Sequence, residues 1–394
     1  MEAIYSIIYV VRQIFRSNGN LDFLYFVGLF CFLYYIIRNT KEIKEFAKLL
    51  LLYVFFSVLV WYKTTHDFSI WNSVEYLLKL SICFALFISV KENYYKINMV
   101  RFYKVSMYLF LVLDLLAVLF YSSDLWRHND INNDYSKTRL QLFFYEPSEL
   151  SMCICILFIV YLYKVREYCN IKERLLFTGI TLINVVLSAG IGGIVSTAAS
   201  VAFVEIYKNR IFFKTGRIKK YFIFSAFVGI MGLIYIFNST SPIALRMQKI
   251  VSLNDQSLHG RVIMPITVLK ELLPDTHFWG IGLGNMDSLY GLDLIYNYGL
   301  LQGTEAAIVQ FPNSFLHLIG EMGVIGLFII LYHLLYLCIN AKKNREILSI
   351  GLLVFIYVYQ IMGGYYTNPI NWVCYGVIAQ KTRNSGRYEE INPV

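Results

Sequence analysis

Pro312-Asn313-Ser314-Phe315-Leu316-His317-Leu318-Ile319-Gly320-Glu321-Met322-Gly323-Val324-Ile325-Gly326 leads from a polar interval, 238–311, straight into an apolar run. That interval is the one long hydrophilic insertion in a chain that is hydrophobic at 57% of its 394 residues and charged at only 15%. Soluble domains carry roughly a quarter charged residues. Outward from this stretch, apolar runs near the ~20 residues that cross a bilayer recur along the whole chain. They define an all-α, polytopic integral membrane protein, read as a single domain over 1–394. No segment outside these runs is large enough to fold alone. The opening stretch, 1–15, carries Arg12 inside its apolar part and lacks a small-residue cleavage site. It reads as an interfacial helix or a marginal first span, and not as a removed signal peptide.

Hydropathy places spans near 21–37, 49–62, 70–90, 103–121, 142–163, 175–187, 191–207, 221–237, 313–339, 347–362 and 368–380, about eleven or twelve in all. Alternate connections are basic: Arg38 to Lys48, Lys91 to Lys104, Lys164 to Arg174, Lys208 to Lys220, Lys342 to Arg345, and the tail 381–394. The positive-inside rule puts these in the cytoplasm. The connections 122–141, 188–190 and 238–312 are poor in Lys and Arg for their length and fall outside. The C-terminus is then inside, and the N-terminus outside unless the first stretch also crosses. The net charge of +9 is scattered between apolar runs rather than gathered on one face, which argues against a nucleic-acid partner. Six cysteines fall inside spans and Cys169 in a basic loop, so neither a disulfide framework nor zinc spacing is implied.

Several groups stand out by position. Glu146-Pro147-Ser148-Glu149 sits at the outer mouth of the fifth span, where it is also an ordinary helix start favoured by the helix dipole. Arg139 lies within reach of the same mouth. In the long loop, Arg246 and the run Asp255-Gln256-Ser257-Leu258-His259-Gly260-Arg261 precede an amphipathic segment, 262–273. Guanidinium groups there suit bidentate binding of phosphate oxygens, or contact with anionic lipid head groups. Gly280-Ile281-Gly282-Leu283-Gly284 follows no strand and opens no nucleotide-binding helix, so it reads as a tight turn. Glu75 and Lys79 are an i,i+4 pair in the third span. Lys79 and Asp114 of the fourth come to similar depth, where they are expected to face protein or water and to pair, or to line an ion pathway. His317 and Glu321 share a helix face but lack a third metal ligand. Gly320, Gly323 and Gly326 suit close helix approach.

In this order, the motifs resemble the O-antigen polymerase and ligase family of bacterial envelope glycan enzymes. The likeness runs from about Tyr103 onward. It is carried by Arg139 with 143–148, the small-residue hairpin 187–197, Arg246 with 255–261, the turn 279–284, the segment 313–326, and Asn368-Pro369-Ile370-Asn371-Trp372. The ligase branch carries His-Asn or His-Ser, nine residues, then Gly-x-x-Gly. Here Pro312 stands where that histidine would be, ahead of Asn313, the nine-residue gap, Gly323 and Gly326. This tilts the resemblance toward the polymerase branch. The arginine that relatives often carry in the small-residue hairpin is missing from Ala189-Gly190-Ile191-Gly192-Gly193.

The resemblance implies a multi-pass protein of the bacterial cytoplasmic membrane. Its donor would be a polyprenyl-diphosphate-linked oligosaccharide, joined into surface polysaccharide at the outer face with no cofactor and no metal. Arg261 would stabilise the leaving diphosphate with Arg246 and Arg139 in support, and Glu146, or else His259, would take the proton of the attacking hydroxyl. Asn313 and Asp255 would bind substrate. Membrane lipid, a chain-length regulator and a flippase are the partners implied. A ligase with another acceptor and a non-enzymatic polysaccharide transporter are the competing readings, although no internal symmetry marks the chain as a transporter.

Overall fold

A computed structural model describes residues 2–14, 22–63, 69–127, 138–210, 238, 248–249, 252, 259–286 and 313–380. The span expected at 221–237, the tail 381–394 and much of the long loop, including Arg246 and Asp255, lie outside the described residues. What is described is helical apart from one two-residue ladder. The helices are α1 Glu2–Val10, α2 Phe23–Arg38, α3 Lys41–Lys63, α4 Ile70–Asn93, α5 Met99–Leu119, α6 Pro147–Val160, α7 Ile171–Ser188, α8 Ile191–Arg210, α9 Met264–Asp275, α10 Ser314–Asn344, α11 Ile347–Met362 and α12 Pro369–Ile378. Strands β1 Trp126–Arg127 and β2 Arg139–Leu140 pair antiparallel, setting Arg127 opposite Arg139.

The chain marks its own helix starts. Ser69, Asn98, Asn313 and Asn368 each accept a backbone N–H of the first turn, and Asn170 with Glu173 closes a reciprocal capping box on α7. Pro147 and Pro369 stand at the first position of α6 and α12, where no donor is needed.

Among the described residues five helices are long and apolar enough to cross a membrane, Ile70–Lys96, Met99–Leu119, Pro147–Tyr168, Ile191–Lys208 and Ser314–Asn344, or six if α2 and the start of α3 form one bent span. Helices α11 and α12 are 16 and 10 residues long. Both are buried among other helices, so their length is set by protein rather than by the hydrocarbon thickness. Helices α2 and α3 meet at about 100°.

Helix α6 runs through the middle, with every side chain from 150 to 157 at most 5% exposed. A helix apolar all round belongs in an interior. Around it the outside carries large apolar groups such as Phe30, Trp71, Val118, Phe328 and Tyr332, each at least 65% exposed. Such a surface is stable against lipid and not against water.

Side-chain contacts define two ends of the bundle. At the basic end Lys104 meets Glu173 at 2.7 Å and Lys164 meets Glu346 at 2.6 Å. At the opposite end Ser73 Oγ donates to Leu283 O, Arg139 Nε to Ser188 O, and Asn313 Nδ2 to Ile361 O.

Helix α1 buries Ser6, Tyr9 and Val10 against the bundle and leaves Ile4, Tyr5 and Ile7 exposed. It starts at the basic end, where Asn98 N donates to Glu2 Oε1, and climbs beside α5: Ser6 Oγ donates to Phe102 O, and Tyr9 OH to Cys153 O. The N-terminal helix thus begins at the same end as the basic connections, the arrangement expected if the first stretch also crosses. A correction concerns the Lys79–Asp114 pair. Lys79 instead meets Glu75 at 2.5 Å on an open face of α4, and Asp114 turns to α7 and accepts from Asn184 Nδ2 at 2.7 Å.

Candidate functional site

Glu146 is the N-cap of α6 by position, yet its side chain caps nothing. It accepts from Ser148 Oγ at 2.8 Å and faces two guanidinium groups, Arg127 Nη1 at 3.9 Å and Arg261 Nη2 at 3.8 Å. All three charged side chains keep 28–51% of their surface open. Ion pairs this long and this exposed contribute about 0–1 kcal/mol each. They are therefore cheap to exchange for a ligand.

Arg261 sits in the π-helical turn His259–Ile263 that opens α9. Three neighbours seat it. Asn313 Nδ2 donates to Arg261 O and to Ile361 O, both at 2.9 Å, while its Oδ1 accepts from Leu316 N. Gly363 lies against the guanidinium, so that a Cβ there would stand 3.3 Å from Cδ and Nη1. Tyr359, from the last turns of α11, ties that helix to the start of α6 by donating to Ser148 O.

The turn 279–284 packs on α10 through paired backbone bonds: Ile281 N donates to Gly320 O, Gly282 N to Glu321 O, and Val324 N to Phe278 O. Gly323 has φ 57 and would place a Cβ 1.9 Å from Phe278 O, so no other residue fits this junction. Of the glycines of α10, Gly323 serves this loop, Gly320 lets Met286 and Leu269 of α9 approach, and Gly326 makes room for the Leu318 carbonyl of α10 itself. On the far side Gly190 and Gly193 let the α7–α8 hairpin close on Ser151, whose Oγ donates to Gly190 O.

The candidates from the sequence separate as follows. Glu146 and Arg261 come together. Asn313 joins them, but its amide is spent on backbone, so it holds Arg261 instead of presenting itself to a sugar. Arg139 donates from Nε to Ser188 O and from Nη2 to Ala189 O, which fastens the hairpin to the C-terminus of α7. Its cross-strand neighbour Arg127 is the guanidinium that reaches Glu146. Arg127 went unnoticed, although an arginine in a connection poor in basic residues was the available signal. His259 opens the turn that carries Arg261.

Beneath the mouth lies a second group of charges. Arg12, fully buried, stands 3.5 Å from Asp22 and 3.9 Å from Glu149, with its guanidinium 5.8 Å from the Phe144 ring centroid. His317 and Glu321, both buried, approach to 3.6 Å, and the histidine ring packs near Tyr76 and Tyr365. Among the described residues no group of three or more His, Cys, Asp and Glu is disposed to hold a metal ion.

The fold and the site together define an all-α polytopic membrane protein with an open, doubly guanidinium-faced carboxylate at one end of its bundle. In comparison with known proteins, the chain matches no family model and no curated sequence.

Proposed function

We propose that the chain is a polysaccharide polymerase that joins polyprenyl-diphosphate-linked oligosaccharide units at the outer face of the bacterial cytoplasmic membrane. The observation that carries this reading is the Arg127–Glu146–Arg261 constellation at the end of the bundle away from the basic connections. By the positive-inside rule that end faces outward.

The reaction needs two things. A cationic group must take up charge developing on the departing diphosphate, and a base must accept the proton of the attacking sugar hydroxyl. At the site Arg261 and Arg127 supply planar donor forks suited to phosphate oxygens. The diphosphate competes with Glu146 for these forks and on arrival frees the carboxylate. Glu146 then stands beside the reacting centre as a base. The acceptor oxygen forms the new bond to the anomeric carbon while the bond from that carbon to the diphosphate oxygen breaks. The hydroxyl proton passes to Glu146, and the polyprenyl diphosphate leaves with the bonding electron pair. No nucleotide or metal enters, because the diphosphate leaving group supplies the driving force.

Removing the chain from its host tests the proposal. The expected result is surface glycan reduced from a long ladder to single-repeat material, restored by the wild-type chain and not by Arg261→Ala. An unchanged ladder on deletion, or a full ladder with Arg261→Ala, overturns it.

A further inference from the structure

The buried charges around Arg12 do not touch the mouth, yet both halves of the mouth end on them. A guanidinium stays charged at any pH of interest, and leaving it buried is costly unless opposite charges surround it. Arg12 has none of its nitrogens in a hydrogen bond among the described residues and is held by Asp22, by Glu149 and by the Phe144 face. The segment is fixed further by Phe23 N donating to Arg12 O, and by Gln13 Nε2 donating to Asp22 Oδ2.

Two routes lead from here to the surface. Gln13 Oε1 accepts the backbone N–H of Tyr145 at 2.7 Å, which fixes the residue next to Glu146. Glu149, one helical turn below Glu146, accepts from Asn368 Nδ2 at 3.2 Å. Asn368 N donates to Tyr365 O, closing a turn in the short connection 363–368, and Gly363 at the start of that connection lies against the Arg261 guanidinium.

We infer that Arg12 is a positioning residue for the Glu146–Arg261 pair, with α1 acting as an internal strut that sets the distance between the carboxylate and the guanidinium. The inference rests on the proposed polymerase reading for its kinetic consequence, but not for its structural one. A displacement of about 1 Å at such a site costs up to roughly a hundredfold in rate. Substrate affinity depends on the exposed guanidinium groups and is spared.

The test uses the full chain in lipid nanodiscs, as wild type, Arg12→Gln, Arg12→Lys, Arg12→Gln with Glu149→Gln, and Phe177→Ala as a remote destabilised control. The readouts are kcat and KM with a polyprenyl-diphosphate-linked oligosaccharide, and amide hydrogen exchange at 143–149 and 361–368. Arg12→Gln is expected to lower kcat about tenfold or more, with KM changed less than about threefold, while exchange rises in both segments and not at 91–104. Arg12→Lys falls in between. Neutralising Glu149 in the double variant removes one of the two carboxylates stranded by Arg12→Gln, Asp22 keeping its bonds from Leu24 N and Gln13 Nε2, and restores kcat and protection to within about threefold of wild type.

Unchanged kcat and exchange in Arg12→Gln overturn the inference. So does a loss that the double variant does not reverse and that Phe177→Ala reproduces at equal thermal stability. If the wild type turns over no substrate, the polymerase reading fails instead, and the exchange pattern alone decides the role of Arg12.

Discussion

A carboxylate that faces two guanidinium groups, yet is bound tightly by neither, is the feature on which the proposed chemistry turns. Arg261 presents a planar fork, and an ammonium group in its place would keep the charge but lose the paired donors. Arg261→Lys is therefore expected to lower turnover by roughly 10²-fold, and Arg261→Ala by as much or more, measured as repeat units joined per minute. A lysine variant with wild-type turnover would show that charge alone suffices. Arg139 should behave differently. Its donors close a hairpin on the end of α7, so Arg139→Ala is expected to lower stability by about 1–3 kcal/mol in thermal unfolding. Turnover per folded molecule should stay within about threefold of wild type. Loss of activity without loss of stability would return Arg139 to the substrate.

At the scale of the elements, the junction between the turn 279–284 and α10 is one that a side chain at 323 would break. Gly323 combines φ 57 with a backbone carbonyl where a Cβ would go. Gly323→Ala is expected to cost about 1–3 kcal/mol or more in stability, and to expose the 278–284 amides to exchange. Unchanged protection there would mean that the two elements are not locked. The nine-residue gap between Asn313 and Gly323 was readable as a pattern, and so were the helix starts at Pro147 and Asn368. What Asn313 and Gly323 do could not be read, because both depend on backbone atoms 45 to 52 positions away. Helix α1 was ambiguous for a related reason. Nine residues, seven of them apolar, with Arg12 just beyond them look marginal by hydropathy, and only the carboxylates of Asp22 and Glu149 make that arginine tolerable inside. The Lys79–Asp114 pairing failed because depth along a helix says nothing about which face a side chain occupies.

For the whole molecule, apolar content and alternating basic connections made the all-α membrane character legible, and the site's place at the end away from those connections follows from helix direction. Cysteines introduced one at a time at the exposed positions 123 and 271 should react with a membrane-impermeant thiol reagent in intact cells, and one at the exposed position 96 should not. The reverse pattern would put the site in the cytosol, where the proposed donor is not presented. The central claim is that this site breaks a sugar–diphosphate bond while making a glycosidic one. Purified full chain mixed with a polyprenyl-diphosphate-linked oligosaccharide, followed by mass spectrometry, tests that most directly. The account expects lipid-linked products longer by whole repeat units, with one free polyprenyl diphosphate released per unit added. A lipid-linked unit recovered unchanged in mass, under conditions where the protein is folded and binds it, would contradict the account.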